Sequence, residues 1–457
     1  MQTASPSAAR WHVGPVIDTL AYGWSWLPAL LLLLPFGDTY PNDYLVPFAL
    51  LVGFSFAHRH ATIPYVYLDR DIFASAPYAF TLLPGGLFVG FLASAWFYGT
   101  TWAPYSLGPA HAVVALGIPL LVLQLWGALS DGHAFRAIAL VLAALPLALG
   151  LLGPWGAAVG VLGASALLAW DQRAARAWLA PVLLAVAAAA ITAIGLRWPA
   201  QPLSALQAIE GVALFAGAWN VWHVLQQKYG IFRMYAAKAG GKGAPPWVDR
   251  LLLWGTLPLA AVGAAHGAQA VIDRVGAELA LLQPLVDVLS GSPVVAGLAA
   301  LVAFGSVGTF VAHERHHPSR PRAIMALGVL ALHSAFVFFD PVKVYVAYAT
   351  SHAAEYLVFL WAFQRRRYAE PLPHDPLMGR IVARHHGLYW VALVLGCTAV
   401  YVVGYHSDDF WLERPWKVAG LELWRWVFLW GLWQSMSHFA WDGFLWKMRR
   451  ASTRASL

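Results

Sequence analysis

Histidine and carboxylate side chains recur at helical spacing along this 457-residue chain. His352 and Glu355 are three residues apart, and His438 and Asp442 are four residues apart. On an α-helix the two members of each pair share a face and can converge on one point. Neutral imidazole together with carboxylate is a ligand set for iron, zinc, copper or manganese. The spacing therefore predicts a metal site in which Glu355 and Asp442 are catalytic groups that bridge or orient the imidazoles.

Further histidines lie near the ends of apolar segments and extend this set. In "HERHH" (313–317) the three histidines are related by three and four residues and share one helical face. His58 and His60 are only two residues apart, so they diverge unless the helix breaks there, which Pro64 favours. A single cysteine, Cys397, disfavours a thiolate site. The predicted metal ligands are His58, His60, His223, His313, His316, His317, His352 and His438.

The His-x-x-His-His pattern at 313–317 resembles one histidine box of the membrane fatty acid desaturase and hydroxylase superfamily. In that family, histidine boxes at the cytoplasmic ends of transmembrane helices hold two non-haem irons that activate oxygen. The resemblance covers these five residues and the placement of histidine near one membrane face. It implies that His313, His316 and His317 are iron ligands and that the cofactor is di-iron rather than mono-iron. From the residues alone, zinc, copper and haem stay open as alternatives.

The same five residues have a second interpretation. A basic cluster at the end of an apolar segment can contact the phosphate groups of membrane lipids without binding any metal. The two interpretations differ in whether the HERHH histidines join the histidines of the other segments.

The composition indicates the elements that must position these groups. Hydrophobic residues make up 60% of the chain and charged residues only 11%, against about 25% charged residues in soluble domains. Many nearly uncharged runs have the length of about 20 residues that crosses a bilayer. We therefore predict an all-α, polytopic membrane bundle of about fourteen transmembrane helices. The predicted spans are 15–37, 44–66, 78–100, 111–131, 136–153, 155–170, 178–196, 205–228, 250–272, 292–313, 323–340, 343–365, 388–405 and 421–446.

Loop charges predict the orientation of this bundle. Six of the 29 Lys and Arg residues fall in the loops of one side and the other 23 on the opposite side. The positive-inside rule then places both termini in the cytoplasm, in what we expect to be a bacterial inner membrane. The net charge of +7 is assigned to these loops and to lipid head groups rather than to nucleic acid. We expect one membrane domain over 1–457, with functional helices in 1–135 and 205–457 and Ala/Leu-rich scaffold helices in 136–200.

Two function classes follow from a membrane-embedded His/carboxylate group. The first is a metal-dependent, iron-containing oxidoreductase that acts on a lipid or isoprenoid from within the bilayer. The sequence has no flavin or nicotinamide fingerprint, so such an enzyme needs an external electron donor. The second is a proton-coupled multi-pass transporter that uses intramembrane His, Asp and Glu as a relay. Bis-histidine haem ligation is a third interpretation, which leaves the His/carboxylate pairs without a role.

Overall fold

The computed structural model describes residues 11–37, 45–77, 80–81, 84–85, 205–239, 245–275, 283–370, 376–405, 417–418 and 421–446. Within these ranges the chain is helical, apart from short connections and one antiparallel pair of two-residue strands, β1 (Lys417–Val418) and β2 (Leu421–Glu422). The predicted spans 111–131, 136–153, 155–170 and 178–196 lie outside the described residues, as does nearly all of 78–100.

The described helices follow one another in chain order, with a π-helical turn over Thr19–Gly23 between the first two. They are α1 (Pro15–Asp18), α2 (Trp26–Leu33), α3 (Leu45–Tyr67), α4 (Arg70–Ser75), α5 (Ala205–Lys238), α6 (Pro246–Gly255), α7 (Leu257–Val275), α8 (Gln283–Gly291), α9 (Pro293–His316), α10 (Arg320–Phe338), α11 (Pro341–Arg367), α12 (Leu377–Tyr405) and α13 (Leu423–Leu445).

Four helical stretches among the described residues are long and apolar enough to cross a membrane. A fifth is added if Pro15–Gly23 and Trp26–Leu33, which are bent by 54°, count as one span. The prediction of an all-α membrane protein is confirmed at this level. The count of fourteen spans and the side on which the termini lie stay predictions. The four stretches are Pro246–Ala270, Pro293–His316, Arg320–Phe338 and Leu377–Gly404.

Local sequence explains where α11 begins and ends. Asp340 precedes it, and one carboxylate oxygen of Asp340 accepts hydrogen bonds from the backbone N–H groups of Val342 and Lys343, each at 3.0 Å. Pro341 occupies the first turn, where its missing N–H leaves no helical bond unmade. Three arginines, 365–367, stand in the last turn, where positive charge complements the helix dipole. These signals fix the register in which α11 presents its buried residues.

Helix α3 packs along α11, α12 and α13 and forms the centre of one half of the described fold. A Cβ atom at Gly53 would lie only 3.0 Å from Cγ2 of Thr398, so this glycine permits the close approach of α3 and α12. A Cβ atom at Gly431 would lie 2.9 Å from the ring of Phe56, which shows a similar approach between α13 and α3. These close contacts fix the position of α3, and hence of its polar side chains, relative to α12 and α13.

Pro64 does not break α3. The helix continues to Tyr67, and the backbone N–H of Leu68 still bonds to the Pro64 carbonyl at 2.9 Å. The break that Pro64 was expected to favour near His58 and His60 is therefore absent, because the ring is accommodated in the last turns of the helix. His58 and His60 consequently diverge, as residues two apart do on a regular helix.

The segment before α1 is held against α5 by the carboxylate of Asp18 and against α11 by Arg366. Asp18 accepts backbone N–H bonds from His12 at 2.5 Å and Val13 at 2.9 Å, and the Tyr235 hydroxyl donates to it at 2.8 Å. The guanidinium of Arg366 donates to the His12 carbonyl. Burial, together with the nearby Arg366 charge, lowers the pKa of His12 to about 3.

Candidate metal centre

Four imidazoles from four helices form a closed ring in the interior. His58 lies on α3, His223 on α5, His352 on α11 and His438 on α13, and all four are buried. Ring centroids are 4.7 Å apart for His58 and His352, and 4.8 Å apart for His352 and His223. They are 5.0 Å apart for His223 and His438, and 4.9 Å apart for His438 and His58. Residues that are far apart in sequence therefore meet at one point of the helical bundle.

Several ring nitrogens of this cluster make no hydrogen bond to the described protein. Among the described residues, Nε2 of His58, His223 and His438 and both ring nitrogens of His352 are buried and make no hydrogen bond. Leaving one buried polar atom unpaired costs about 1–3 kcal/mol, and native folds contain few such atoms. Ring nitrogens of His58, His352 and His438 lie within 4.8 Å of one another, and a proton donor or a metal ion could satisfy them.

The distances between ring centroids are compatible with imidazoles that share one metal ion. A metal–imidazole bond of about 2.1 Å plus ~1.1 Å from nitrogen to centroid puts each ring centroid ~3.2 Å from the ion. If the angle at the ion between two neighbouring ligands lies between a right angle and the tetrahedral angle, their ring centroids are about 4.5–5.2 Å apart. The four observed edges, 4.7–5.0 Å, fall in this interval. The centroids of His352 and His438 are 6.3 Å apart and correspond to nearly opposite positions.

Asp442 supplies a carboxylate at the edge of the ring. Its Oδ2 lies 3.5 Å from His223 Nε2 and 3.7 Å from His438 Nε2. Its Oδ1 accepts hydrogen bonds from the Tyr356 hydroxyl at 3.1 Å and from Trp446 Nε1 at 3.0 Å. Two donors thus hold one oxygen and leave the other directed at the imidazoles. Two groups of three ligands can be drawn here: His58, His352 and His438, and His223, His438 and Asp442.

Hydrogen bonding fixes which nitrogen of His58 carries the proton. Its Nδ1 contacts the backbone carbonyl oxygen of Ser55. A carbonyl oxygen can only accept, so Nδ1 is the donor and Nε2 of the neutral ring keeps its lone pair. That lone pair is on the nitrogen that has no partner among the described residues. His58 is therefore held in the tautomer that a metal ion requires.

A longer chain of bonds fixes His438 in the same way. A carboxylate only accepts, so the Tyr356 hydroxyl donates to Asp442 and must itself accept from the Thr62 hydroxyl, 2.7 Å away. The Thr62 oxygen is then free to accept from Nδ1 of His438 at 2.9 Å. The order is His438 to Thr62 to Tyr356 to Asp442, and it leaves the Nε2 lone pair of His438 facing the ring.

The structure does not bring the other four predicted ligands to this ring. Nδ1 of His60 bonds to the Phe56 carbonyl at 2.9 Å, and Nε2 accepts from Trp430 Nε1 at 2.7 Å. His313, His316 and His317 lie in the last turn and C-cap of α9, and the last two are exposed. These histidines were grouped by their helical spacing. Such spacing predicts that residues share one face of a helix, but not which other residues that face contacts.

Glu355 lies beside the ring but is paired with a cation. Its Oε1 forms an ion pair with Lys228 and accepts a hydrogen bond from Ser351 at 3.0 Å. Gln227 donates to Oε2 at 3.4 Å and also to the His352 carbonyl at 3.2 Å. Gln227 thus connects Glu355 to the backbone of His352 rather than to its imidazole. Lys228 was not among the predicted site residues, although a lysine within the "HVLQQKYG" turn after His223 is a signal for a buried counter-charge.

The HERHH segment contributes a structural ion pair instead. Glu314 accepts from Arg322 Nε at 2.7 Å and from the backbone N–H of Ser319 at 3.1 Å. The buried guanidinium of Arg322 also bonds to Asp249 at 2.8 Å and 3.2 Å through its two terminal nitrogens. The glutamate of HERHH therefore fixes the turn between α9 and α10.

Comparison with known proteins adds no family to this description. No family model, no curated protein and no solved structure matches the chain.

Proposed function

We propose that this chain is a membrane-embedded, metal-dependent oxidoreductase whose metal is a non-haem iron held by His58, His223, His352 and His438, with Asp442 beside them. The observation that carries the proposal is the ring of buried imidazoles, in which nitrogens of His58, His352 and His438 lie within 4.8 Å of one another and several make no hydrogen bond. Imidazole and carboxylate without thiolate suit iron, copper, zinc or manganese. Structural zinc sites in proteins are typically closed by cysteine, which favours a redox-active or catalytic ion here.

The spacing favours one ion over the di-iron centre that the histidine-box resemblance implied. The four edges of the ring match imidazoles around a common point, and the HERHH histidines that would supply a second ion lie elsewhere. The spacing of the four imidazoles also disfavours haem. The centroids of His352 and His438 are 6.3 Å apart, but those of His58 and His223 lie about 5 Å from both and would occupy the space that a haem needs between them.

When bound, a redox-active ion of this kind supplies oxygen activation and electron transfer. The residues of the chain have separate tasks. Ser55 and Thr62 fix the imidazole tautomers, Tyr356 and Trp446 direct Asp442, and the packed helices exclude water from the ring. The candidate membrane spans of the chain support a lipid or isoprenoid substrate. The electron donor is external, and we keep the fourteen spans, cytoplasmic termini and bacterial inner membrane as part of this proposal.

A proton-coupled transporter is the second candidate, and the Lys228–Glu355 ion pair favours it. Both side chains are buried, and an intramembrane ion pair of this kind is typical of proton relays. The two proposals differ in their dependence on metal. Transport through Lys228 and Glu355 survives chelation, whereas the oxidoreductase loses its activity with the ion.

The function is tested by oxygen uptake in detergent. The iron-loaded protein is mixed with a chemical reductant and a membrane lipid extract, and lipid products are followed by mass spectrometry. We expect uptake coupled to an oxidised lipid, abolished in His352→Ala and retained in His60→Ala, because His60 lies outside the ring. Uptake that is equal in both variants, or no lipid product at all, would refute the proposal.

A further inference from the structure

Helix α9 presents a continuous apolar surface to its surroundings. Leu298, Leu301 and Phe304 are exposed, Phe304 to 75%. Large apolar side chains of a candidate membrane span that no described part of the chain covers can face lipid chains. The end of this helix must then lie near the level of the lipid head groups.

A basic cluster begins where this apolar surface stops. Arg315, His316 and His317 are exposed at the end of α9, and Arg320 is exposed at the start of α10. The acidic residue of the same segment, Glu314, is already bonded to Arg322 and to the Ser319 backbone. Its charge is therefore neutralised inside the protein, and the exposed side chains of the turn are left with a positive balance.

An exposed tryptophan on a third helix lies beside the end of α9. Trp247 stands in the first turn of α6 and is 53% exposed, and its ring lies 5.5 Å from the ring of His313. Tryptophan is enriched at membrane–water interfaces, where its indole is half in the apolar phase and half in the polar phase. The ends of α6, α9 and α10 thus combine an apolar wall, an interfacial indole and exposed guanidinium groups.

We propose that Arg315, His316, His317 and Arg320, with Trp247 at their edge, form a binding site for the phosphate head group of an anionic phospholipid. Guanidinium groups bind phosphate oxygens in a two-pronged geometry, and a neighbouring imidazole adds a further donor. Lipid is the source of the phosphate because the apolar surface of α9 leads directly to the cluster and can hold the acyl chains. The site is separate from the histidine ring, and it gives the HERHH segment a role that needs no metal.

The test compares lipid bound to purified protein. The protein is reconstituted in nanodiscs of phosphatidylcholine with phosphatidylglycerol, extracted in mild detergent and analysed by native mass spectrometry for retained lipid. The wild-type protein is expected to retain phosphatidylglycerol several-fold over its share in the bilayer, and R315Q/R320Q to lose this enrichment. R70Q/R384Q, which removes the same charge from exposed arginines on α4 and α12, is expected to behave as the wild type.

Two further measurements complete the test. Raising the salt concentration should lower the enrichment of the wild type towards that of R315Q/R320Q, because exposed charge interactions are screened. Equal retention in R315Q/R320Q and wild type would overturn the proposal, as would complete displacement of the lipid by millimolar inorganic phosphate, which would indicate a phosphate site. Loss of metal from H316Q/H317Q would also overturn it, since those histidines would then be metal ligands.

Discussion

His58 on α3 and His352 on α11 meet edge to face, with ring centroids 4.7 Å apart and ring planes at 84°. Both side chains are fully buried, and neither offers its inward nitrogen to any donor among the described residues. Edge-to-face imidazoles at this distance are compatible with the two neighbouring ligands that we propose for one ion. The ring of four histidines repeats this relationship, and the proposed function depends on it.

Metal should stabilise the fold through His352. Adding a tightly bound ion at 100 times its dissociation constant raises the free energy of unfolding by about 2.7 kcal/mol. Chelation is therefore expected to lower the melting temperature of the wild type by several degrees. His352→Leu should show no such shift, and its metal-free form should be at least as stable as metal-free wild type because two unpaired buried nitrogens are removed. Differential scanning fluorimetry with and without chelator measures both effects, and equal shifts in the two proteins would contradict the assignment.

The Thr62 hydroxyl should control metal affinity without touching the metal. Thr62→Val removes the acceptor of the His438 Nδ1 proton and the donor to Tyr356. We expect affinity for the ion to fall by about 10–100-fold, the usual effect of losing a hydrogen bond behind a ligand. Thr62→Ser restores the hydroxyl and should restore the affinity. Competition with a chelator of known affinity measures the change. If Thr62→Val binds as tightly as wild type, the bonding order from His438 to Asp442 is incorrect.

The Lys228–Glu355 pair should show strong coupling in a double-mutant cycle. Either Lys228→Met or Glu355→Gln leaves one buried charge unpaired, which typically destabilises a protein by about 3–5 kcal/mol. The double variant removes both charges and should recover most of that loss. Unfolding in denaturing detergent mixtures gives the three free energies. Additive losses would mean that the two side chains do not depend on each other.

Acidification should release the segment around His12. The pKa of His12 is lowered to about 3 by burial and by Arg366, with Lys238 also nearby and Asp18 bound to its backbone. An exposed histidine has a pKa of about 6.5, so the undocked segment binds the proton more tightly. Docking is fully favourable above about pH 6.5 and weakens as the pH falls towards 3.

Hydrogen–deuterium exchange, corrected for the intrinsic pH dependence of exchange, measures this release. Protection of residues 12–18 should fall between about pH 7.5 and about pH 5 in the wild type, and His12→Gln should show no pH dependence. A wild-type profile that matches His12→Gln would show that His12 does not control the docking.

Much of the candidate site could be predicted from residue type and spacing. Histidine or carboxylate within an apolar segment is costly unless it has a partner, and this rule selected His58, His223, His352, His438 and Asp442. The pairing of His438 with Asp442 followed directly from their spacing of four residues. The apolar runs likewise predicted a helical membrane protein.

The sequence could not separate the four ring histidines from the other candidates. Which face of a helix meets which neighbour depends on contacts such as Gly53 against Thr398, whose partners are remote in the chain. The three HERHH histidines have suitable spacing, but the end of α9 is exposed and its glutamate is bonded to Arg322. The pairing of Glu355 with Lys228 could not be predicted, because the sequence of one helix does not show which charged residue of another helix it contacts.

The most direct test of the central claim is metal analysis with an optical spectrum, on untagged protein purified in mild detergent without chelators. We predict one iron per chain with no Soret band, and loss of that iron in His352→Ala but not in His60→Ala. No stoichiometric metal in the wild type, or metal that persists in His352→Ala, would contradict it.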